Sequence, residues 1–140
     1  MERLCDADLI LHAGDVVSVA FLDELRALGP PVRAVHGNMD DLALQETLPA
    51  ERTVGAGGAR IAMLHDAGSR SGREARLRRR FAGCDAVVYG HTHLPQVERF
   101  EGVWILNPGS PTERRRAPVH TMLVLEVAAG RIEPELVTLP

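Results

Sequence analysis

Apolar residues in this chain gather into short runs, each followed by a turn built on glycine. Leu9-Ile10-Leu11, Val32 to Val35, Ala59 to Leu64 and Ala86 to Tyr89 each read as a buried strand. Between the first two, Leu22, Leu25 and Leu28 recur on one face of a helix that Ser18 can cap and Gly29-Pro30 can end. A second helix is predicted from Ser71 to Phe81, with Leu77 and Phe81 facing inward and Gly83 as its stop. Arg73, Arg76, Arg78, Arg79 and Arg80 occupy most of its remaining surface. Elsewhere the alternation has period two and predicts hairpins. Arg52 to Gly55 returns as Ala59 to Leu64 through Ala56-Gly57-Gly58, and Val97 to Phe100 returns as Val103 to Leu106 through Glu101-Gly102. Thr121 to Val127 returns as Ile132 to Val137 through Ala129-Gly130.

A front half of crossovers followed by a rear half of antiparallel strands predicts an α/β fold of two packed mixed β-sheets, a sandwich flanked by helices. With 140 residues the chain is expected to form a single domain, 1–140, without internal repeats or a linker. An apolar fraction of 45% and a charged fraction of 25% suit a soluble protein. All of its basic residues are arginine, yet the net charge is -3, which argues against a dedicated nucleic-acid binder. Cys5 and Cys84 lack the spacing of a zinc ribbon or a disulfide framework and read as reduced thiols. No run has membrane-spanning length and no signal peptide is evident, so a cytoplasmic location is expected.

Candidate chemistry collects where the strand-like runs end. Asp15, Asn38, His65, His91 and His93 all lie just past such a run, where ligand sites of open α/β sheets form. Any one of these histidines alone would read as a packed side chain. Together they offer carboxylate, amide and imidazole donors without thiolate, which suits Mn, Fe or Zn. Two such ions form the clamp that polarises a phosphoryl oxygen and activates a water for in-line attack. His12 and His36, which precede glycine turns, read as supporting or packed residues. Asp40 and Asp66 read equally as partners of imidazoles and as solvated loop residues. Arg70 and Arg73 are candidates to approach a phosphate, whereas Arg76 to Arg80 and Arg114 to Arg116 read as solvated.

Gly14-Asp15, Gly37-Asn38, His65 and Gly90-His91-Thr92-His93, in this order and spacing, resemble the calcineurin-like metallophosphoesterase superfamily. Gly37-Asn38-Met39-Asp40 and Asn107-Pro108-Gly109-Ser110 make the chain most similar to its small bacterial and archaeal phosphodiesterases. The resemblance implies a hydrolase that cleaves phosphodiesters, and less readily phosphomonoesters, by attack of a metal-activated water. It implies two divalent ions, Mn first, with Fe, Zn or Ni as alternatives. Asp15 would bridge both, Asn38, His65 and His91 would hold one, and His93 would hold the other. Catalytic roles accordingly fall to Asp15, Asn38, His65 and His91. A small-molecule phosphoester is the implied partner, no membrane is involved, and a homo-oligomer is left open.

Two departures from the family pattern shape the expectation. Larger members carry a histidine after Gly-Asn, where this chain has Met39-Asp40. The family also opens with a strand ending in Asp-x-His, and no Asp-x-His occurs here. The fold is therefore expected to lack its first strand and helix, roughly 20–25 residues at ordinary element lengths, as an N-terminally truncated domain. The remaining donors then predict occupancy by one metal. The alternative is a catalytically impaired protein-interaction scaffold on the same fold, a use that the retromer subunit resembling these enzymes illustrates.

Overall fold

The computed structural model describes residues 2–14, 19–37, 42–110 and 120–139. A short helix α1 (Glu2–Cys5) leads into strand β1 (Ile10–His12), helix α2 (Val19–Arg26), strand β2 (Val32–Ala34) and helix α3 (Leu42–Thr47). β1 and β2 pair in parallel, with Ile10 opposite Val32 and His12 opposite Ala34. Leu22 of α2 and Leu44 of α3 pack with Val32, Ala34 and Leu48 against this pair. Ser18, the expected cap of α2, lies outside the described residues. α3 is an element that the sequence pattern did not announce, since one buried leucine in six residues gives no periodicity to read.

The next stretch builds the main sheet: β3 (Glu51–Ala56), β4 (Ala59–Leu64), helix α4 (Arg73–Arg80), β5 (Ala86–Tyr89), β6 (Gln96–Phe100) and β7 (Val103–Asn107). Its order is β3-β4-β5-β7-β6, with β4, β5 and β7 parallel to one another and an antiparallel strand at each edge. The central strands are almost wholly apolar, Arg60 and Asn107 apart, because both faces are covered. Ile61, Met63, Ala86, Val88 and Leu106 face one core, while Ala62, Leu64, Val87, Tyr89 and Ile105 face Leu77 and Phe81 at α4.

Two final strands, β8 (His120–Ala128) and β9 (Arg131–Leu139), form a separate hairpin. Its Leu123, Leu125, Val127 and Ile132 join Leu11, Val35 and the inner face of the main sheet in one core. The expected sandwich with helices outside is the observed architecture, with one refinement: the second layer consists of two strand pairs, β1-β2 and β8-β9. Apolar spacing specifies which face is buried but not which edges bond. The layers are also tied at their tips, where the Gly130 N–H donates to the Gly57 carbonyl at 2.9 Å. No helix among the described residues is long and apolar enough to cross a membrane.

Candidate metal centre

The carboxyl ends of β1, β4, β5 and β7 meet at one place, and the three glycines there explain how closely. Gly14 follows β1 at φ 101°, and a Cβ on it would stand 2.5–2.8 Å from the His65 ring and Cβ. Gly90 follows β5, and a Cβ there would meet the Ala13 carbonyl oxygen at 3.0 Å and His65 Nδ1 at 3.4 Å. Gly109 follows β7, and its Cβ would overlap the Thr121 hydroxyl. The His65 imidazole is thus buried in a slot that only glycine leaves open.

Within that slot, His65 Nδ1 lies 2.8 Å from the Ala13 carbonyl oxygen. A carbonyl only accepts, so Nδ1 carries the proton and Nε2 presents its lone pair. His91 Nδ1 faces that Nε2 at 3.3 Å, with the two rings edge-on at 83°. Two nitrogens bound to one tetrahedral ion at about 2.0–2.1 Å stand about 3.3–3.4 Å apart, so this pair has the separation that sharing an ion requires. A carbonyl anchoring the far ring nitrogen is also the usual companion of a metal-ligating histidine. The donor set fits a divalent metal. No group of three or more metal-ligating side chains occurs among the described residues, and Asp15 and Asn38, the expected oxygen donors, lie outside them.

His91 and His93 both adopt left-handed backbone, at φ 68° and φ 59°. The Thr92 N–H donates to the Gly90 carbonyl at 2.8 Å, closing a three-residue turn around His91. With positive φ at its centre, this is the rarer, strained sense of γ-turn. The Leu94 N–H donates to Thr92 Oγ1 at 3.2 Å, closing a second turn around His93. Left-handed backbone costs a non-glycine residue roughly 1–2 kcal/mol. His93 is buried beside this turn.

Behind the loop lies a polar layer that the sequence reading missed. The Asn107 carboxamide, fully buried at the end of β7, donates from Nδ2 to the Gly90 carbonyl at 3.2 Å and to Thr92 Oγ1 at 3.0 Å. Its Oδ1 accepts from the Gly109 N–H at 2.9 Å. The Tyr89 hydroxyl donates to Gln96 Oε1 and accepts from Arg73 at 3.0 Å, while the Arg73 guanidinium stacks 5.0 Å from the Tyr89 ring centre. Burial pushes the Tyr89 phenol above its ordinary pKa, and the Arg73 charge and hydrogen bond only partly oppose this. Glu74, which accepts from Gln96 Nε2 at 2.8 Å, is held below the ordinary carboxylate value, first by a backbone hydrogen bond and then by Gln96.

The remaining candidates fall into supporting places. Arg73 also donates to the Gly68 carbonyl at 3.0 Å, so its guanidinium is engaged in the fold. Arg76, expected to be solvated, instead donates to the carbonyls of Ala67, Ser69 and Ser71 and pins the loop before α4. Asp66 accepts from the Gly68 N–H at 2.9 Å in a local turn. The backbones of His12 and His36 tie strand ends together, His12 accepting from Val35 and His36 donating to Pro49. Ser110 is buried, and its carbonyl accepts from the Thr121 N–H at 3.0 Å. Met39, Asp40 and Arg114 to Arg116 lie outside the described residues.

Comparison with known proteins gives the family and the fold. A probable metallophosphoesterase of Methanothermobacter thermautotrophicus is 37% identical over 134 residues, which are 94% of this chain and 76% of that protein. Vps29 of Entamoeba histolytica, in a crystal structure complexed with zinc, superposes with a TM-score of 0.74 at 24% identity, over 98% of this chain and 86% of that one. An archaeal phosphodiesterase gives 0.74 at 20% identity, over 94% and 84%. Both structural likenesses speak to the fold. The profile of the calcineurin-like phosphoesterase superfamily domain matches residues 1–130, nearly the whole of this chain, which therefore belongs to that superfamily.

Proposed function

We propose that the protein is a divalent-metal-dependent phosphoesterase that hydrolyses small phosphodiesters, with phosphomonoesters as poorer substrates. The observation that carries the reading is the His65–His91 pair, two imidazole nitrogens 3.3 Å apart, one of them oriented by the Ala13 carbonyl. Asp15, Asn38, His65, His91 and His93 are the proposed ligands, with Mn the first candidate and Fe, Zn or Ni the alternatives. The metal would supply Lewis acidity toward the phosphoryl oxygen and lower the pKa of the attacking water. The chain's own contribution is positional. His65 is fixed in tautomer and orientation by Ala13, and His91 is held facing it by a turn anchored on Gly90. Membership of the superfamily supports a bound divalent metal.

The test is hydrolysis of bis-p-nitrophenyl phosphate against p-nitrophenyl phosphate, each with added Mn²⁺, by the wild-type chain and His91→Ala. Turnover favouring the diester, lost in the variant while its thermal transition persists, is the expected result. The fold shared with Vps29 gives a second reading, a scaffold. Metal binding measured by calorimetry without turnover of either substrate would give that reading the lead.

A further inference from the structure

The Gly90-to-Leu94 loop contains two consecutive three-residue turns, each with a histidine at its centre and each in left-handed backbone. The acceptor that closes the first turn is the Gly90 carbonyl, and the acceptor that closes the second is Thr92 Oγ1. Asn107 Nδ2 donates to both of these atoms and to neither histidine. The two protons of one amide nitrogen therefore lock the two turns, one each. Asn107 is itself fixed, since its Oδ1 takes the Gly109 N–H and the Thr121 hydroxyl donates to the neighbouring Pro108 carbonyl at 2.8 Å. β7, the strand beside β5 in the sheet, thus reaches across to set the conformation of the loop that β5 delivers.

From this we infer that Asn107 is the positioning residue of the site: it holds His91 and His93 in the backbone conformation that aims both imidazoles, while touching neither ring. Aspartate would not serve. It keeps the acceptor for Gly109 but sets an oxygen against the Gly90 carbonyl, where no proton remains to share. Thr92 is the second half of the device, because its one hydroxyl oxygen accepts from Asn107 and from the Leu94 N–H together.

The inference that this clamp serves a metal rests on the phosphoesterase reading; the clamp itself does not, and the experiment separates the two. The full chain is prepared as wild type, Asn107→Ala, Thr92→Val and Thr92→Ser. The φ angles of His91 and His93 are read by NMR from scalar couplings and chemical shifts without metal, and Zn²⁺ affinity is measured by calorimetry. Asn107→Ala and Thr92→Val are expected to lose the positive φ at one or both histidines and to bind Zn²⁺ about 10–100-fold more weakly. Thr92→Ser is expected to restore both. If Asn107→Ala fails to fold, the two Thr92 variants decide, since Thr92 is only partly buried and valine keeps its shape. Positive φ retained in every variant overturns the clamp. Lost φ with unchanged Zn²⁺ affinity overturns its role in the site. Lost φ in a protein whose wild type binds no Zn²⁺ upholds the clamp and overturns the metal reading alone.

Discussion

The hairpin tips and the histidine loop both carry positive φ, and they are populated differently. At the hairpin tips the strained positions belong largely to glycine: Gly57-Gly58 between β3 and β4, Glu101-Gly102 between β6 and β7, Ala129-Gly130 between β8 and β9. Two consecutive residues at positive φ give the turn that matches strand twist, and glycine makes it inexpensive. At the end of β5 the same region of backbone space is occupied by His91 and His93. There the side chain is the purpose of the position, so the strain has to be offset from outside by Gly90, Thr92 and Asn107. Hairpin tips meet the conformational demand mostly with glycine, whereas the histidine loop meets it with hydrogen bonds from the neighbouring strand.

Substitutions that add a Cβ break this comparison most sharply. Gly14→Ala should have the largest effect, because its Cβ enters the His65 ring while φ stays at 101°. Displacement of that imidazole predicts loss of Zn²⁺ affinity and of phosphodiester turnover by about 100-fold or more, the scale expected when a ligand and its support move together. Calorimetry and the diester assay check it, and unchanged affinity would contradict the placement of His65.

The hairpin tips provide the control. Gly57→Ala meets the Val127 carbonyl as well as an unfavourable φ of 56°, so it should destabilise the fold by about 2–3 kcal/mol. Gly102→Ala has open space around its Cβ and bears only the conformational cost, about 1 kcal/mol. Urea unfolding of both variants gives the difference, and each should bind Zn²⁺ as the wild type does. Equal destabilisation at the two tips would mean that the contact between β3-β4 and β8-β9 contributes nothing.

The smallest effect concerns pH. Tyr89 is the single tyrosine of the chain, so phenolate absorbance reports it without ambiguity. Its pKa in the folded state is raised above the ordinary 10.0, mainly by burial. The folded state therefore holds the phenol proton more tightly than the unfolded chain. The associated stability is fully present below the ordinary value and is lost as pH rises through the folded one. Titration should show Tyr89 ionising later than a free tyrosine, and Arg73→Ala should delay it further by removing the opposing charge. A midpoint at or below the free value would contradict the buried network with Gln96 and Arg73.

Much of the fold was legible before any coordinates. The runs ending at Leu11, Leu64 and Tyr89 fall on β1, β4 and β5, and Leu77 is the buried anchor of α4, because alternation and helical spacing record which side faces a core. His65 and His91 were legible as donors at strand ends, and the structure brings their nitrogens together. Asn107 was legible as part of a motif but not as a clamp, and Arg76 read as solvated, since neither hydrogen-bonds through a pattern that spacing reveals. Asp15 and Asn38 remain proposals on the strength of the motifs.

By itself the sequence determined the family, the two-sided burial of β4, β5 and β7, the glycine-based hairpins and the residue types that can hold a metal. Those are consequences of local periodicity and chemical identity, which a chain carries at every position. Only the tertiary structure decided that β7 lies beside β5, that the second layer is two strand pairs, and that one buried carboxamide reaches both histidine turns. Hydrogen bonds between residues 15 and 17 positions apart depend on how sheets pair in space, and strand pairing is a property of the whole fold rather than of any stretch within it.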